Sequence, residues 1–315
     1  MTHPRVSIVM CTYNGEQFLR EQLDSIIGQT YPIYELIVQD DGSVDGTIEI
    51  IREYAERYAF IKLFTNERQL GYNQNFLSAI LKAKGDAIAI SDQDDIWHTQ
   101  KIEKQIEKLN EGHSMVFHNS LLFEESPHTI LSERHKEEPV VSELRLILKP
   151  FIPGHECLFT RKALPIIKRL YQQEPNLAYA YITALVCITL GPISYINEGL
   201  VYWRRHPEAA TRKNKSKTYS AFHGILISFA ALFQQRKRNI PQRYFNVIYA
   251  LPFKTVAAQK VIVYMQGNTI QILKACFVCG RHVSAFFKKI SIRNRIKALF
   301  TPLHLLRDAG FLIRS

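Results

Sequence analysis

The first 120 residues alternate between two hydrophobic periods, and that alternation limits the possible folds more than anything else in the chain. Arg5-Val6-Ser7-Ile8-Val9-Met10-Cys11, Glu35-Leu36-Ile37-Val38-Gln39, Phe60 to Phe64, Asp86-Ala87-Ile88-Ala89-Ile90 and Met115-Val116-Phe117 are short apolar runs of strand length. Between the first two, Phe18, Leu19, Gln22, Leu23, Ile26 and Ile27 fall at helical spacing, and Tyr31-Pro32 ends that helix. Asp45 can cap a second helix running to about Tyr58; Gly71 to Lys82 and Trp97 to Glu111 supply two more. Strands alternating with helices predict an α/β fold, a mostly parallel sheet with helices on both faces.

In such sheets ligands bind outside the C-terminal strand ends. Thr12-Tyr13-Asn14, Asp40-Asp41 and Asp92-Gln93-Asp94 each follow a strand, so all three converge on one rim. Neither a G-x-x-x-x-G-K-[ST] loop nor a G-x-G-x-x-G after the first strand is present, which disfavours a P-loop hydrolase and a dinucleotide dehydrogenase. Ser91-Asp92-Gln93-Asp94-Asp95-Ile96-Trp97 places three carboxylates within four residues at a strand end. Carboxylates so close repel unless a cation, a positive side chain or water offsets them. A divalent magnesium or manganese ion, held with substrate phosphates, is the expected device. The alternative is an acidic loop that caps the next helix.

Val6 to Asn14, Gln22-Leu23-Asp24-Ser25-Ile26, Gln29-Thr30-Tyr31, Asp40-Asp41-Gly42-Ser43 with Asp45-Gly46-Thr47, then Asn66, Gly71, Asn75 and Lys84-Gly85-Asp86 together resemble the family 2 glycosyltransferases of the GT-A (Rossmann-like) fold. Ser91 to Trp97 resembles the branch holding bacterial rhamnosyltransferases and related polysaccharide enzymes. The likeness covers roughly residues 5–206. It implies an inverting, metal-dependent transfer from a nucleotide-diphosphate sugar. By resemblance, Thr12, Tyr13 and Asn14 line the base and ribose pocket, one of Asp40 and Asp41 accepts from the base N–H, and Asn75 and Gln93 also contact the nucleotide sugar. Asp92 approaches the ribose or the metal, Asp94 ligates the metal, and Asp95 caps or supports. A metal there neutralises charge building on the leaving diphosphate. Trp97 packs against donor or acceptor sugar, or in the core.

Residues 119–150 read as a loop and helix over the site. Pro153 to Phe159 resembles the family's glycine-led strand behind the acceptor, which makes His155 and Glu156 candidate acceptor contacts. Val201-Tyr202-Trp203-Arg204-Arg205-His206 resembles the family's Tyr-Arg-x-His close. Arg204 can pair with a diphosphate, and His206 with metal or phosphate. Leu177 to Ile182 opens a helix where this branch carries an aspartate as general base; Ala180 stands at that position. An alanine takes no proton. The chain is then an inactivated variant, a natural inactive relative that binds nucleotide or glycan without catalysis, or an enzyme in which Glu156 substitutes.

Charge divides the chain. Residues 1–203 carry 19 Lys+Arg and 27 Asp+Glu, a balance of −8; residues 204–315 carry 21 and 2, a balance of +19. This predicts a catalytic domain over 1–210 and a basic, amphipathic, mainly helical region over 211–315, with a basic hinge at 212–217. Apolar positions among its cations suit an anionic membrane surface or a homodimer; nucleic acid is disfavoured because the aromatics lie on apolar faces. No apolar run reaches spanning length. The expected place is the cytoplasm, peripheral on the inner face of the membrane, with a lipid-linked bacterial glycan as acceptor. Five scattered cysteines fit a reduced compartment, and Cys276-x-x-Cys279 reads as a buried helical pair rather than a zinc site, which needs two more ligands.

Overall fold

The computed structural model of the protein describes residues 3–206 and 227–313. They fall into two compact units that interleave along the chain. The first comprises the described residues of 3–139, 152–168 and 190–206; the second comprises those of 140–151, 169–189 and 227–313. The expected domain boundary near 210 and the hinge at 212–217 lie outside the described residues.

The first unit is built on one nine-stranded sheet. Its parallel half is the one the apolar runs predict. β1 (Val6–Thr12) pairs in parallel with β2 (Ile33–Asp40) and β4 (Ala87–Ser91), and β2 pairs with β3 (Ile61–Thr65). Every residue of β1 and β4 is buried, as a strand covered on both faces requires. Helices α1 (Glu16–Ile27), α2 (Thr47–Arg57) and α3 (Tyr72–Ile80) supply the cover, α1 through Leu19, Leu23 and Ile26 and α2 through Ile50, Ile51 and Tyr54. Gly85 has no room for a side chain, since a Cβ there would lie 2.6 Å from the Arg5 carbonyl and 2.7 Å from the Ser7 nitrogen.

The second half of the sheet is mixed. The fifth apolar run extends to β6 (Met115–Phe123), which does not neighbour β4. Between them lies β8 (Cys157–Thr160), antiparallel to both. β9 (Ile193–Arg204) runs parallel to β6 over a far longer stretch than the short strand expected at 193–197. The two-residue β5 (Ile96–Trp97) pairs with β9, and β7 (Ser132–Glu133) with β6. Because β5 takes Trp97, α4 begins only at Lys101 (Lys101–Asn110).

The second unit is helical. It holds α5 (Glu143–Leu148), most of α7 (Tyr179–Leu190), and helices Gln235–Ile248, Val256–Met265, Thr269–Arg281 and Ile292–Asp308. The helix α6 (Leu164–Gln173) leads from one unit into the other. Side-chain oxygens cap three of the later helices: Thr255 accepts from the Ala258 N–H, Asn268 from Gln271 within a capping box, and Ser291 from Asn294. Cys276 and Cys279 are buried on one helix, and burial pushes both thiols up, Cys276 to about 12. No helix among the described residues is long and apolar enough to cross a membrane.

Candidate active site

Three strand ends of the parallel half meet, and their loops are tied to one another by side chains. At the end of β1, Asn14 adopts a left-handed backbone (φ 47°), which asparagine tolerates better than most residues. Its N–H donates to Ser43 Oγ at 2.9 Å, and its Oδ1 accepts from the Val44 N–H at 2.9 Å. At the end of β2, Asp40 accepts from Gly42 N–H (3.0 Å), Ser43 N–H (2.8 Å), Thr12 Oγ1 (2.8 Å) and Ser43 Oγ (2.5 Å). Asp41 accepts from Asn66 Nδ2 (2.8 Å), Leu70 N–H (2.7 Å) and Gly71 N–H (2.8 Å). Asn75 accepts from Asn66 Nδ2 at 2.8 Å and donates to the Gln39 carbonyl at 3.0 Å. Thr12, Asp40, Asp41 and Asn75 are thus buried braces that shape the rim, while Tyr13 stands 46% exposed on it.

The loop after β4 closes the site. Gln93 accepts from the Tyr13 N–H at 2.8 Å and donates to the Tyr13 carbonyl at 3.1 Å. Asp92 Oδ2 lies 3.3 Å from His155 Nδ1, and His155 Nε2 lies 3.2 Å from Ser120 Oγ. Asp94 Oδ2 lies 2.8 Å from His206 Nε2, whose ring packs 4.9 Å from that of Phe18. Two Asp–His pairs therefore arise from one loop. Asp95 is buried and accepts from the Arg204 N–H at 3.3 Å. Burial, with Asp94 and Asp92 nearby, pushes the Asp95 carboxyl well above the usual carboxylate range. For His155, burial opposes protonation, but the bond to Asp92 and the fields of Asp95, Asp92 and Glu156 outweigh it and raise its pKa.

The residues fit a divalent cation. Ligand atoms of Asp92, Asp95 and His155 lie within 4.8 Å of one another. Asp92 Oδ1 and Asp95 Oδ2 are buried without a hydrogen-bond partner, a state that a cation or water relieves. Asp94 and His206 offer a second, more open oxygen and nitrogen pair at about a fifth exposed each.

Other expected contacts are placed differently. Trp97 is 3% exposed, and the Lys101 ammonium sits 3.4 Å from its ring centre, so it is a core aromatic and not a sugar platform. Arg204 is not available to a diphosphate. It is buried between Phe18 and Phe123, ion-paired to Glu21, and donates from Nε to the Asp94 carbonyl at 3.0 Å. It holds the Asp94 backbone instead. His155 and Glu156 are buried too, which moves them from an acceptor surface to a layer behind the loop. Glu156 accepts from Ser120 Oγ at 2.7 Å and lies 3.3 Å from His135 Nε2 and 3.5 Å from Arg134 Nε. Ala180, second in α7, is half-buried and belongs to the second unit.

Sequence reasoning missed that layer: Lys101, Gln105, His118, Ser120 and His135. Gln105 donates to the Glu156 carbonyl at 2.9 Å, and His118 is buried on β6, its Nδ1 2.7 Å from the Asn119 carbonyl. The signal was present, since His118-Asn119-Ser120 follows the apolar run Met115–Phe117 as other polar clusters follow theirs.

Comparison with known proteins agrees with this geometry. The family model described as glycosyl transferase family 2 matches residues 7–165. Over 118 residues the chain is 38% identical to the UDP-Glc:alpha-D-GlcNAc-diphosphoundecaprenol beta-1,3-glucosyltransferase WfgD of Escherichia coli, covering 38% of this chain and 43% of that protein. The chain spans about two fifths of the length of the curated relatives it matches first. Among solved structures, S. aureus TarS 1-349 in complex with UDP-GlcNAc superposes with a TM-score of 0.60 at 16% identity, over 98% of this chain and 88% of that one. The mannosyltransferase PcManGT from Pyrobaculum calidifontis, in complex with GDP-Man and Mn2+, does so at 0.55 and 17% identity, over 99% and 88%.

Proposed function

The chain belongs to glycosyl transferase family 2, and from that premise we propose that it moves a sugar, with inversion, from a nucleotide-diphosphate donor to a lipid-linked glycan at the inner face of a bacterial membrane. The carrying observation is the carboxylate loop Asp92–Asp95 held against the loops after β1 and β2 by the Gln93–Tyr13 pair and the Asn14–Ser43 and Asn14–Val44 bonds. Thr12 to Asn14 and Asp40 to Asp41 then bound the nucleotide, with Tyr13 the open aromatic of the set. Asp94 and His206 hold manganese or magnesium, assisted by Asp92. When bound, the ion supplies positive charge where the diphosphate leaves. Arg204 keeps Asp94 in place from behind. The lipid-linked acceptor is argued from WfgD, whose name includes a diphosphoundecaprenol acceptor.

Ala180 favours a second reading, a glycosyltransferase-like protein that binds donor without transfer. Thermal stabilisation by uridine, guanosine and thymidine diphosphate sugars with manganese tests the donor half of both. Stabilisation by none of them removes both. Transfer assays then separate them. Activity of the chain as it stands assigns the base to another carboxylate. Activity only after Ala180→Asp marks an inactivated transferase, and none in either leaves the binding reading. Asp94→Asn and His206→Ala should each abolish the manganese-dependent part of the stabilisation, whereas Asp95→Asn would do so only if the buried Asp92–Asp95–His155 group is the true ion site.

Attachment to the membrane is argued from the second unit. Val256 and Val263, one helical face apart by two turns, are exposed beside Lys260; Ile270 and Phe277 are exposed beside Lys274; Ile290, Ile292 and Ile296 are exposed among Lys289, Arg293 and Arg295. Apolar side chains left in water between cations match the chemistry of an anionic lipid interface.

A further inference from the structure

Within the second unit, α5 and the last helix enclose a cavity of about 430 Å³. Arg145, Lys149, Lys297 and Arg307 reach it, with His304 between the last two. Its one acid, Asp308, is engaged by Arg307 through two hydrogen bonds, at 2.8 and 2.6 Å. Among the described residues no carboxylate pairs with Arg145, Lys149 or Lys297. Arg145 is fixed in place: Nη1 donates to the Val140 carbonyl at 3.0 Å, and the guanidinium lies 4.2 Å from the Phe151 ring centre. Neither contact neutralises it. Burial lowers the pKa of Arg145. The cavity therefore holds an excess of positive charge that nothing in the described structure offsets. The remaining wall is Leu148, Phe286, Phe287 and Leu305, with Thr301, whose hydroxyl already donates to the Lys297 carbonyl at 2.9 Å.

Cations converging on one side of a cavity and hydrocarbon on the other describe an amphiphilic anion. We infer that this cavity binds a phosphate or diphosphate ester that carries an apolar chain. Arg145 supplies the planar fork suited to a phosphate, Lys149 and Lys297 close over it from the rim, and Leu148, Phe286 and Leu305 take the first carbons of the chain. The inference does not rest on the transferase reading, because it concerns binding in the helical unit alone.

The full chain, without nucleotide sugar or metal, is titrated by calorimetry with geranyl diphosphate and with inorganic pyrophosphate, and by sedimentation with phosphatidylglycerol vesicles. Lys149 and Lys297 are exposed, so Lys149→Gln with Lys297→Gln should leave thermal stability unchanged. Geranyl diphosphate should bind about tenfold more tightly than pyrophosphate, as a few buried methylenes imply, and the double variant should weaken it by about tenfold or more. Arg145→Lys should weaken it as well. If only the vesicles bind, and the double variant or Arg145→Lys releases them, the phosphate is a bilayer headgroup. If neither diphosphate nor vesicle binding responds to these variants, or only pyrophosphate binds, the inference is wrong.

Discussion

Lys101 shows what a single residue can hide. Its place in Lys101-Ile102-Glu103-Lys104-Gln105 looks like the solvated start of a charged helix, yet α4 turns that position inward beside Ile102 and Gln105. Its Nζ is buried with no hydrogen-bond partner, resting on the Trp97 face. Burial lowers its pKa to about 7, against roughly 10.4 in an unfolded chain. Between those values the unfolded chain holds a proton that the folded one lacks, so stability rises with pH from about 7 towards 10. Below 7 both states are charged and the folded one carries the whole desolvation cost. Lys101→Met should therefore stabilise most below pH 7, by roughly 1–3 kcal/mol, with the gain vanishing near pH 10. Urea unfolding of both proteins across that range reads this directly, and parallel pH profiles would refute it. The same blindness explains Trp97 and Arg204. Motif order located them beside the loop, but only packing decides whether a side chain faces ligand or core.

Elements were legible where their period was pure. β1, β2 and β4 are apolar runs because both their faces are covered, and α1 and α2 carry plain helical stripes. The insertion of β8 between β4 and β6 was not legible, since strand order depends on long-range pairing that no local pattern records. Nor did the sequence expose how α5 is fastened. Glu143, at its first turn, accepts from the Lys254 N–H (2.7 Å), the Thr255 N–H (2.9 Å) and Thr255 Oγ1 (2.5 Å). One nearly buried carboxylate thus satisfies the donors that precede helix Val256–Met265. Glu143→Ala leaves those donors without partners and should cost about 2–4 kcal/mol, while Glu143→Gln, which keeps one acceptor oxygen, should cost about half as much. Chemical denaturation separates the two, and equal losses would mean that the charge and second acceptor oxygen missing from both variants, not the number of donors left unpaired, set the cost.

At the scale of the molecule, the balance of −8 over residues 1–203 and +19 over 204–315 was plain in the sequence, but its purpose was not, because charge alone suits lipid, nucleic acid or a partner protein. The exposed apolar residues narrow the choice. Phe277 is 68% exposed and Ile292 81% exposed, beside the exposed cations Lys274 and Arg293. A nucleic-acid surface would gain little from aliphatic side chains in water, whereas a lipid interface uses both kinds at once. Vesicles containing phosphatidylglycerol should therefore sediment the full chain, and neutral vesicles should do so weakly. Each cation near the surface contributes about 1 kcal/mol and is screened by salt, so Lys260→Gln with Lys274→Gln should weaken binding most at low ionic strength. Ile270→Ser with Phe277→Ser removes apolar contact that salt does not screen, so its loss should persist at high salt. A protein that ignored the vesicles but bound oligonucleotides with a steep salt dependence would carry its positive charge for nucleic acid. One that ignored both and dimerised would be burying these helices against a second copy of itself.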